Sequence, residues 1–135
     1  MKPAPKLTET EWEIMRVVWD QHPVTATDII KRLATDDPTW HPKTARAFLN
    51  RLVQKKVIDY EQHGRVYVYE PLVDEKQCVA AASESFLERV FGGSLKPMLA
   101  YFVEQRRITK KDLQELTEQL EGPTAKPPSR NRRSS

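Results

Sequence analysis

Apolar side chains recur at helical spacing in six stretches of the chain, and polar residues before them mark where helices begin. Four stretches are preceded by a residue that can cap a helix, with Glu, Gln or Asp three positions later, which is the spacing of a capping box. These cap positions are Thr8, Thr25, Asp74 and Thr109. The pattern predicts helices near residues 8–21, 25–34, 42–56, 74–91, 94–105 and 109–121.

Two short β-rich runs, residues 57–61 and 66–70, follow the third helix and are separated by a turn that contains Gly64. Glycine adopts a positive φ at little cost, so this arrangement predicts a hairpin. Three helices with apolar stripes, followed by a small hairpin, are typical of a winged helix-turn-helix. We therefore predict a mainly α fold in which residues 1–72 form a winged helix-turn-helix DNA-binding domain.

The third predicted helix holds five cations and no acid, and it turns a polar face away from its apolar stripe. Arginine and asparagine pair well with guanine and adenine edges in the major groove. Lys43 and Arg46 lie near the helix start, the end that enters a groove deepest. Arg51 and Lys55 lie further along and suit phosphates, while Arg65 at the hairpin tip suits a minor groove or a phosphate. The predicted DNA-binding residues are Lys43, Thr44, Arg46, Ala47, Asn50, Arg51, Lys55 and Arg65.

The start of this helix leaves one alternative open. Pro42 suits the first helical position, which makes His41 the residue before the helix. Histidine is a poor helix cap, and a cationic histidine there can face a phosphate. A surface histidine that is simply tolerated at the helix start is the favoured interpretation.

Residues 73–121 contain three further helices with apolar stripes and form a second predicted domain. Helices of this length make a thin bundle for a single chain. We expect them to pack against the same helices of a second copy, because an isologous dimer doubles the contact with DNA and matches a palindrome. The predicted dimerisation residues are Phe86, Leu87, Val90, Leu95, Met98, Leu99, Phe102, Leu113, Leu116 and Leu120.

Composition narrows the classes of function and location that remain for the protein. The single cysteine, Cys78, excludes an internal disulfide and is expected to be a small core residue. The three histidines lie in different elements and no phosphate-binding loop or nucleophile motif is present, so we expect no enzyme, metal or cofactor. No run approaches the ~20 apolar residues of a membrane span and the basic start lacks a signal peptide's apolar core, so a cytoplasmic protein is expected. Residues 122–135 are expected to form a disordered basic tail.

Several segments together resemble the penicillinase repressor family of bacteria (BlaI, MecI and CopY type). They are LTETEWEIMRVVW at 7–19, WHPKTARAFLNRLVQKK at 40–56, GRVYVYEP at 64–71, and the register SFLERVFGGSL, YFVEQ and DLQELTEQL within 85–120. The resemblance covers the chain except its tail. It implies a homodimeric winged-helix repressor that binds operator dyads and blocks transcription of β-lactamase or related resistance genes. It also implies that Lys43 and Thr44 read bases and that Arg51 and Arg65 contact the DNA backbone.

The resemblance further implies induction by cleavage in the dimerisation region, under the control of a membrane sensor with a protease domain. The family's cleaved bond is Asn-Phe, and the bond at the matching position here is Tyr101–Phe102. The copper-responsive branch uses a cluster of C-terminal cysteines, since Cu(I) prefers thiolates. Cys78 is alone, so copper sensing by that route is not expected.

One alternative function from a different class stays open. A winged helix can also act as a protein-interaction module, with its basic face against an acidic partner. That function predicts weak binding to any DNA and no dependence on a palindrome. A dimeric repressor instead binds its operator tightly and requires the palindrome.

Overall fold

Residues 4–122 are described in the computed structural model, where six helices and three strands follow one another as α1–β1–α2–α3–β2–β3–α4–α5–α6. The helices are α1 (Glu9–Gln21), α2 (Ala26–Asp36), α3 (Pro42–Gln54), α4 (Glu75–Phe91), α5 (Leu95–Glu104) and α6 (Lys110–Glu121). The strands are β1 (Val24–Thr25), β2 (Ile58–His63) and β3 (Val66–Pro71). The mainly α winged-helix fold predicted from the sequence is confirmed.

The helix starts follow from local capping chemistry. Thr8 and Glu11 form a full capping box at α1, because the Thr8 hydroxyl accepts from the Glu11 amide and the Glu11 carboxylate accepts from the Thr8 amide. Thr109 and Asp112 make the same reciprocal pair at α6. Thr25 caps α2 through a single bond from the amide of the third helical residue. The predicted helix positions are therefore confirmed to within two residues at each end.

The hairpin of β2 and β3 is the wing, and its sheet has one more strand than predicted. The strand order is β1-β3-β2, with both pairs antiparallel. The two-residue loop between His63 and Val66 begins with Gly64 at a φ of 66°, as the turn pattern predicts. Strand β1 is only two residues long, too short to show alternation in the sequence, yet it ties the start of α2 to the wing.

One apolar core joins α1, α2, α3 and the sheet. Its buried members are Ile14, Met15, Val17, Val18, Val24, Ala26, Ile29, Leu33, Ala45, Leu49, Leu52, Val57, Ile58 and Tyr69. Tyr69 is 4% exposed, so the aromatic face of β3, rather than its valine face, packs inward. Cys78 is also buried, which confirms its predicted place in a core.

The chain divides into two compact units between Ser85 and Phe86. The predicted boundary between the DNA-binding and dimerisation domains, at residues 72 and 73, stays a prediction. Helix α4 crosses the division, and its first half, which includes buried Cys78, belongs to the first unit. From residue 86 to residue 122 no residue is buried, although each helix carries an apolar stripe. The predicted disordered tail lies outside the described residues, except for Gly122.

Candidate nucleic-acid interface

Helix α3 is buried on one face and exposed on the other. Its buried residues are Ala45, Leu49 and Leu52. Six of the eight predicted DNA-binding residues are among its exposed residues: Lys43, Thr44, Arg46, Ala47, Asn50 and Arg51. At 100° per residue these six do not share one direction. Lys43, Ala47 and Asn50 point most directly away from the core, Arg46 lies on one flank, and Thr44 and Arg51 lie on the other.

His41 caps the start of α3. Its Nδ1 accepts a hydrogen bond from the Lys43 amide at 3.2 Å, and Pro42 occupies the first turn. Accepting at Nδ1 requires the neutral imidazole with its proton on Nε2. The interpretation that His41 is merely tolerated at this position therefore understates its role, since it satisfies an amide at the N-terminus of the helix.

A crevice of about 360 Å³ separates α3 from the wing, and we call it the helix–wing crevice. Its lining residues are Thr25, Ala26, Thr27, Arg46, Asn50, Arg65, Val66, Tyr67 and Tyr69. Arg46 from the helix and Arg65 from the wing tip, 19 positions apart in sequence, therefore open onto one space. None of the residues that line it is acidic. Within residues 4–122 neither guanidinium has a carboxylate in ion-pairing range.

Tyrosines of the wing form one wall of this crevice, and the sequence interpretation missed them. The rings of Tyr60 and Tyr67 stack at 4.8 Å between centroids, and Tyr60 also lies 5.8 Å from Tyr69. Burial raises the pKa of Tyr69, the neighbouring Tyr60 and Tyr67 raise it further, and the charge of Arg46 opposes them. The Tyr69 hydroxyl therefore stays protonated at neutral pH. Tyrosine in a strand usually indicates packing, so only the fold reveals that Tyr67 and Tyr69 line a crevice beside a cationic helix.

Lys55 lies away from this exposed face of α3. Its Nζ is 2.8 Å from Glu11 Oε1, and it also donates to the Lys6 carbonyl at 3.0 Å. The ammonium is thus committed to two acceptors near the start of α1. This geometry argues against the phosphate contact predicted for Lys55, because a charge held by a buried carboxylate is not free to neutralise DNA.

Arg51, on the opposite flank of α3 from Arg46, keeps an accessible position. Its guanidinium lies over the Phe48 ring, 5.0 Å from the centroid, and Phe48 in turn packs edge-on against Trp40. A cation–π contact of this kind holds an arginine in place without neutralising it. Arg51 is therefore placed where it can meet an anion, and its contact with a phosphate stays a prediction. Separately, none of the described helices is long and apolar enough to cross a membrane.

These features define a winged helix-turn-helix domain with a cationic outer helix. Comparisons with solved structures agree: a staphylococcal MarR structure matches with a TM-score of 0.51 at 16% identity, which supports the fold alone. The solution structure of the DNA-binding domain of the repressor BlaI matches with a TM-score of 0.51 at 36% identity, over 57% of this chain and 93% of that one.

The model of the penicillinase repressor family matches residues 7–122, and the chain belongs to this family. It is 35% identical to the penicillinase repressor of Bacillus licheniformis over 121 residues, 90% of this chain and 94% of that protein. It is 28% identical to the methicillin resistance regulatory protein MecI of Staphylococcus aureus, over 82% of this chain and 89% of MecI. The family consists of DNA-binding transcriptional repressors, which are not enzymes.

Proposed function

We propose that the protein is a homodimeric repressor that binds a palindromic operator and controls β-lactamase or related resistance genes. The observation that carries the DNA contact is the outer face of α3, which is exposed, basic and continuous with the acid-free helix–wing crevice. A helix of this kind fits the major groove, and the wing beside it reaches the adjacent backbone or minor groove. The kinship with penicillinase repressors supports the target genes. A bacterial repressor of this kind acts in the cytoplasm, where its operator lies.

The residues that point outward on α3 are the ones we assign to base edges. Lys43 and Asn50 supply hydrogen bonds, and Ala47 between them leaves room for close approach or contacts a thymine methyl. Thr44 and Arg51 lie on a flank, where a phosphate is nearer than a base edge. This division separates specificity from affinity, because phosphate contacts carry no direct sequence information.

Asn50→Ala tests this assignment. Loss of an amide–base pair is expected to weaken operator binding by about 1–3 kcal/mol and to leave binding to a scrambled duplex unchanged. Gln21→Ala, which removes an exposed amide from the end of α1, is the matched control and should change neither affinity. Equal losses on both duplexes for Asn50→Ala would show that the outer face does not read sequence. Sequence-blind binding by every variant would favour an acidic protein partner instead.

The second unit supports the homodimer, because it lacks a core of its own. Of the thirteen large exposed apolar residues within residues 4–122, nine lie in residues 86–122, and Leu120 is 86% exposed. A segment this short with no buried residue is not stable alone. Its stripes lie on all three helices, so a second copy of the same surface is the occupant we infer, as expected for a two-fold interface.

Sedimentation of two variants tests the dimer. Leu116→Asp places a charge on a residue that is 51% exposed in the chain, so it leaves packing within one copy intact and disfavours a desolvated interface. Phe102→Asp makes the same change on α5, at a half-buried position. Both are expected to sediment as monomers, whereas Lys111→Asp on the polar face of α6 should remain dimeric. A dimeric Leu116→Asp would exclude the apolar stripe of α6 from the interface.

Relief of repression by proteolysis is a further part of the proposal. The Tyr101–Phe102 bond lies within α5, and Tyr101 is 50% exposed. A cut there would separate α6, with Leu113, Leu116 and Leu120, from the rest of the chain. Proteases bind extended backbone, so α5 must first unwind at this point. Mass spectrometry of the protein from cells treated with a β-lactam should show a fragment that ends at Tyr101, and an intact chain during induction would contradict the proposal.

A further inference from the structure

From the geometry we infer that the helix–wing crevice holds one phosphate of the DNA backbone in each copy, gripped by Arg46 from α3 and Arg65 from the wing. Arg46 is then a residue that positions the operator, and not the base reader suggested by its place near the helix start. The inference rests on the proposed function, since it names which group of the DNA this crevice binds.

The direction of Arg46 separates it from the base-reading residues. Ala45 is fully buried and defines the inward direction of α3, and Arg46 follows it by one residue, or about 100°. Lys43 and Ala47 lie about 160° and 200° from the same direction, so they point outward. A side chain at about 100° leaves the helix sideways. Here it opens into the crevice, opposite the wall formed by Tyr67 and Tyr69.

The chemistry of the crevice matches a phosphodiester. The planar fork of a guanidinium binds two phosphate oxygens at once, and two such forks reach this space from different elements. The hydroxyl of Thr27, which also lines the crevice, offers a further donor. No acidic residue lines the crevice, so nothing in it repels an anion. Its volume admits a phosphate with the adjoining sugar.

Backbone pairing fixes the wall of the crevice that the wing provides. Strand β1 pairs with β3 through Val24 with Tyr69 and Thr25 with Val68, which fixes the wing against the start of α2. Because Tyr69 is buried in the core, strand β3, which follows Arg65, is fixed in position. A phosphate bound between two such fixed walls sets the register of α3 along the groove.

The first experiment compares Arg46→Ala and Arg65→Ala with Arg16→Ala, which removes an exposed arginine of α1 that does not line the crevice. Affinity is measured for an operator and a scrambled duplex over a salt series. Both crevice variants are expected to bind both duplexes more weakly by about the same factor, on the order of tenfold. The slope of log K against log salt should shrink by roughly 0.9 for each phosphate that the variant no longer neutralises. A weakening confined to the operator, with an unchanged slope on scrambled DNA, would overturn the inference.

The second experiment locates the phosphate. Duplexes with one neutral methylphosphonate per half-site are scanned against wild type and Arg46→Ala. At one linkage, neutralisation should weaken binding by wild type but have no further effect on Arg46→Ala, because that variant no longer holds this phosphate. Arg46→Lys keeps the charge and should recover much of the affinity on both duplexes. If the effects of neutralising a phosphate and of removing Arg46 were additive at every linkage, the assignment would be contradicted.

A third experiment tests whether the ligand of the crevice is a phosphate of DNA or a free anion. Inorganic phosphate is titrated into the full chain without DNA and followed by NMR at the Thr27 amide. The inference predicts no saturation below millimolar concentration, because a lone phosphate lacks the flanking contacts of the duplex. Saturation at micromolar concentration would assign the crevice to a soluble anion and overturn it. The two proposals can also fail separately. If the wild-type protein does not prefer the dyad, but one phosphate linkage still depends on Arg46, the proposed repressor is refuted and the crevice assignment stands.

Discussion

Replacing Lys55 with Met is expected to destabilise the DNA-binding domain while leaving the salt dependence of DNA binding unchanged. The Glu11 side chain is 1% exposed and that of Lys55 is 33% exposed, and the two meet at 2.8 Å. Removing one partner of a buried pair costs ~3–5 kcal/mol, because the other charge stays buried. Water reaches the lysine and screens part of that cost, so we expect a loss of about 2 kcal/mol at neutral pH.

The loss should depend on pH. Burial raises the pKa of Glu11, but hydrogen bonds from Lys55 and the Thr8 amide, with the charges of Lys55 and Arg51, outweigh it and lower the pKa below 4.5. A lowered pKa in the folded state means that the wild-type carboxylate stabilises the fold above pH 4.5 and that this contribution is lost as pH falls further. In Lys55→Met the Glu11 carboxyl is still buried, and the lysine that opposed the effect of burial on its pKa is gone. The free-energy gap between the two proteins should therefore be widest near neutrality. It should begin to shrink above pH 4.5, where the buried Glu11 of Lys55→Met takes up a proton, and shrink further below it.

Tryptophan fluorescence during urea unfolding measures this directly. All three tryptophans, Trp12, Trp19 and Trp40, lie in the first compact unit, so their signal reports on that unit in the full chain. Lys31→Met, which changes an exposed lysine of α2, is the control and should cost less than about 0.5 kcal/mol. A Lys55→Met protein of wild-type stability with a reduced salt slope would refute the reasoning and restore Lys55 as a phosphate contact.

Three further changes test local features. Thr8→Ala removes the cap of α1 and should lower the free energy of unfolding by about 1 kcal/mol. Thr35→Ala is the control and should change it little, because the Thr35 hydroxyl only donates to a carbonyl of its own helix. Equal effects of the two changes would count against the capping box. Gly64→Ala should cost about 1 kcal/mol at a φ of 66° and speed amide exchange in the wing, and unaltered exchange would show that the turn is unstrained. Burial raises the pKa of the Cys78 thiol, so a thiol reagent at mildly alkaline pH should react with it only as fast as the protein opens, and rapid labelling of the native protein would disprove that protection.

The elements that the sequence predicted well are those fixed by neighbouring residues. The capping boxes at Thr8 and Thr109 involve residues three apart, so their chemistry is visible in the chain itself. The same holds for Gly64, whose positive φ is set by a two-residue loop. Helices and wing could therefore be placed before any tertiary contact was known.

The features that escaped prediction depend on residues far apart in the chain. The ion pair of Lys55 is one example, because its buried partner, Glu11, lies 44 positions earlier. Strand β1 exists only through its pairing with β3. The crevice between Arg46 and the wing likewise needs the packing of the sheet against α3, and periodicity along one helix cannot show which flank faces it.

The most direct test of the central claim is binding of the full chain to three duplexes across a salt series. One carries an intact dyad from the promoter region of its own gene, one a half-site and one a scrambled sequence. The account predicts that the dyad binds several kcal/mol more tightly than the scrambled duplex, that the half-site lies between them, and that the salt slope is steep. Equal, shallow binding to all three would contradict a dimeric, sequence-specific repressor.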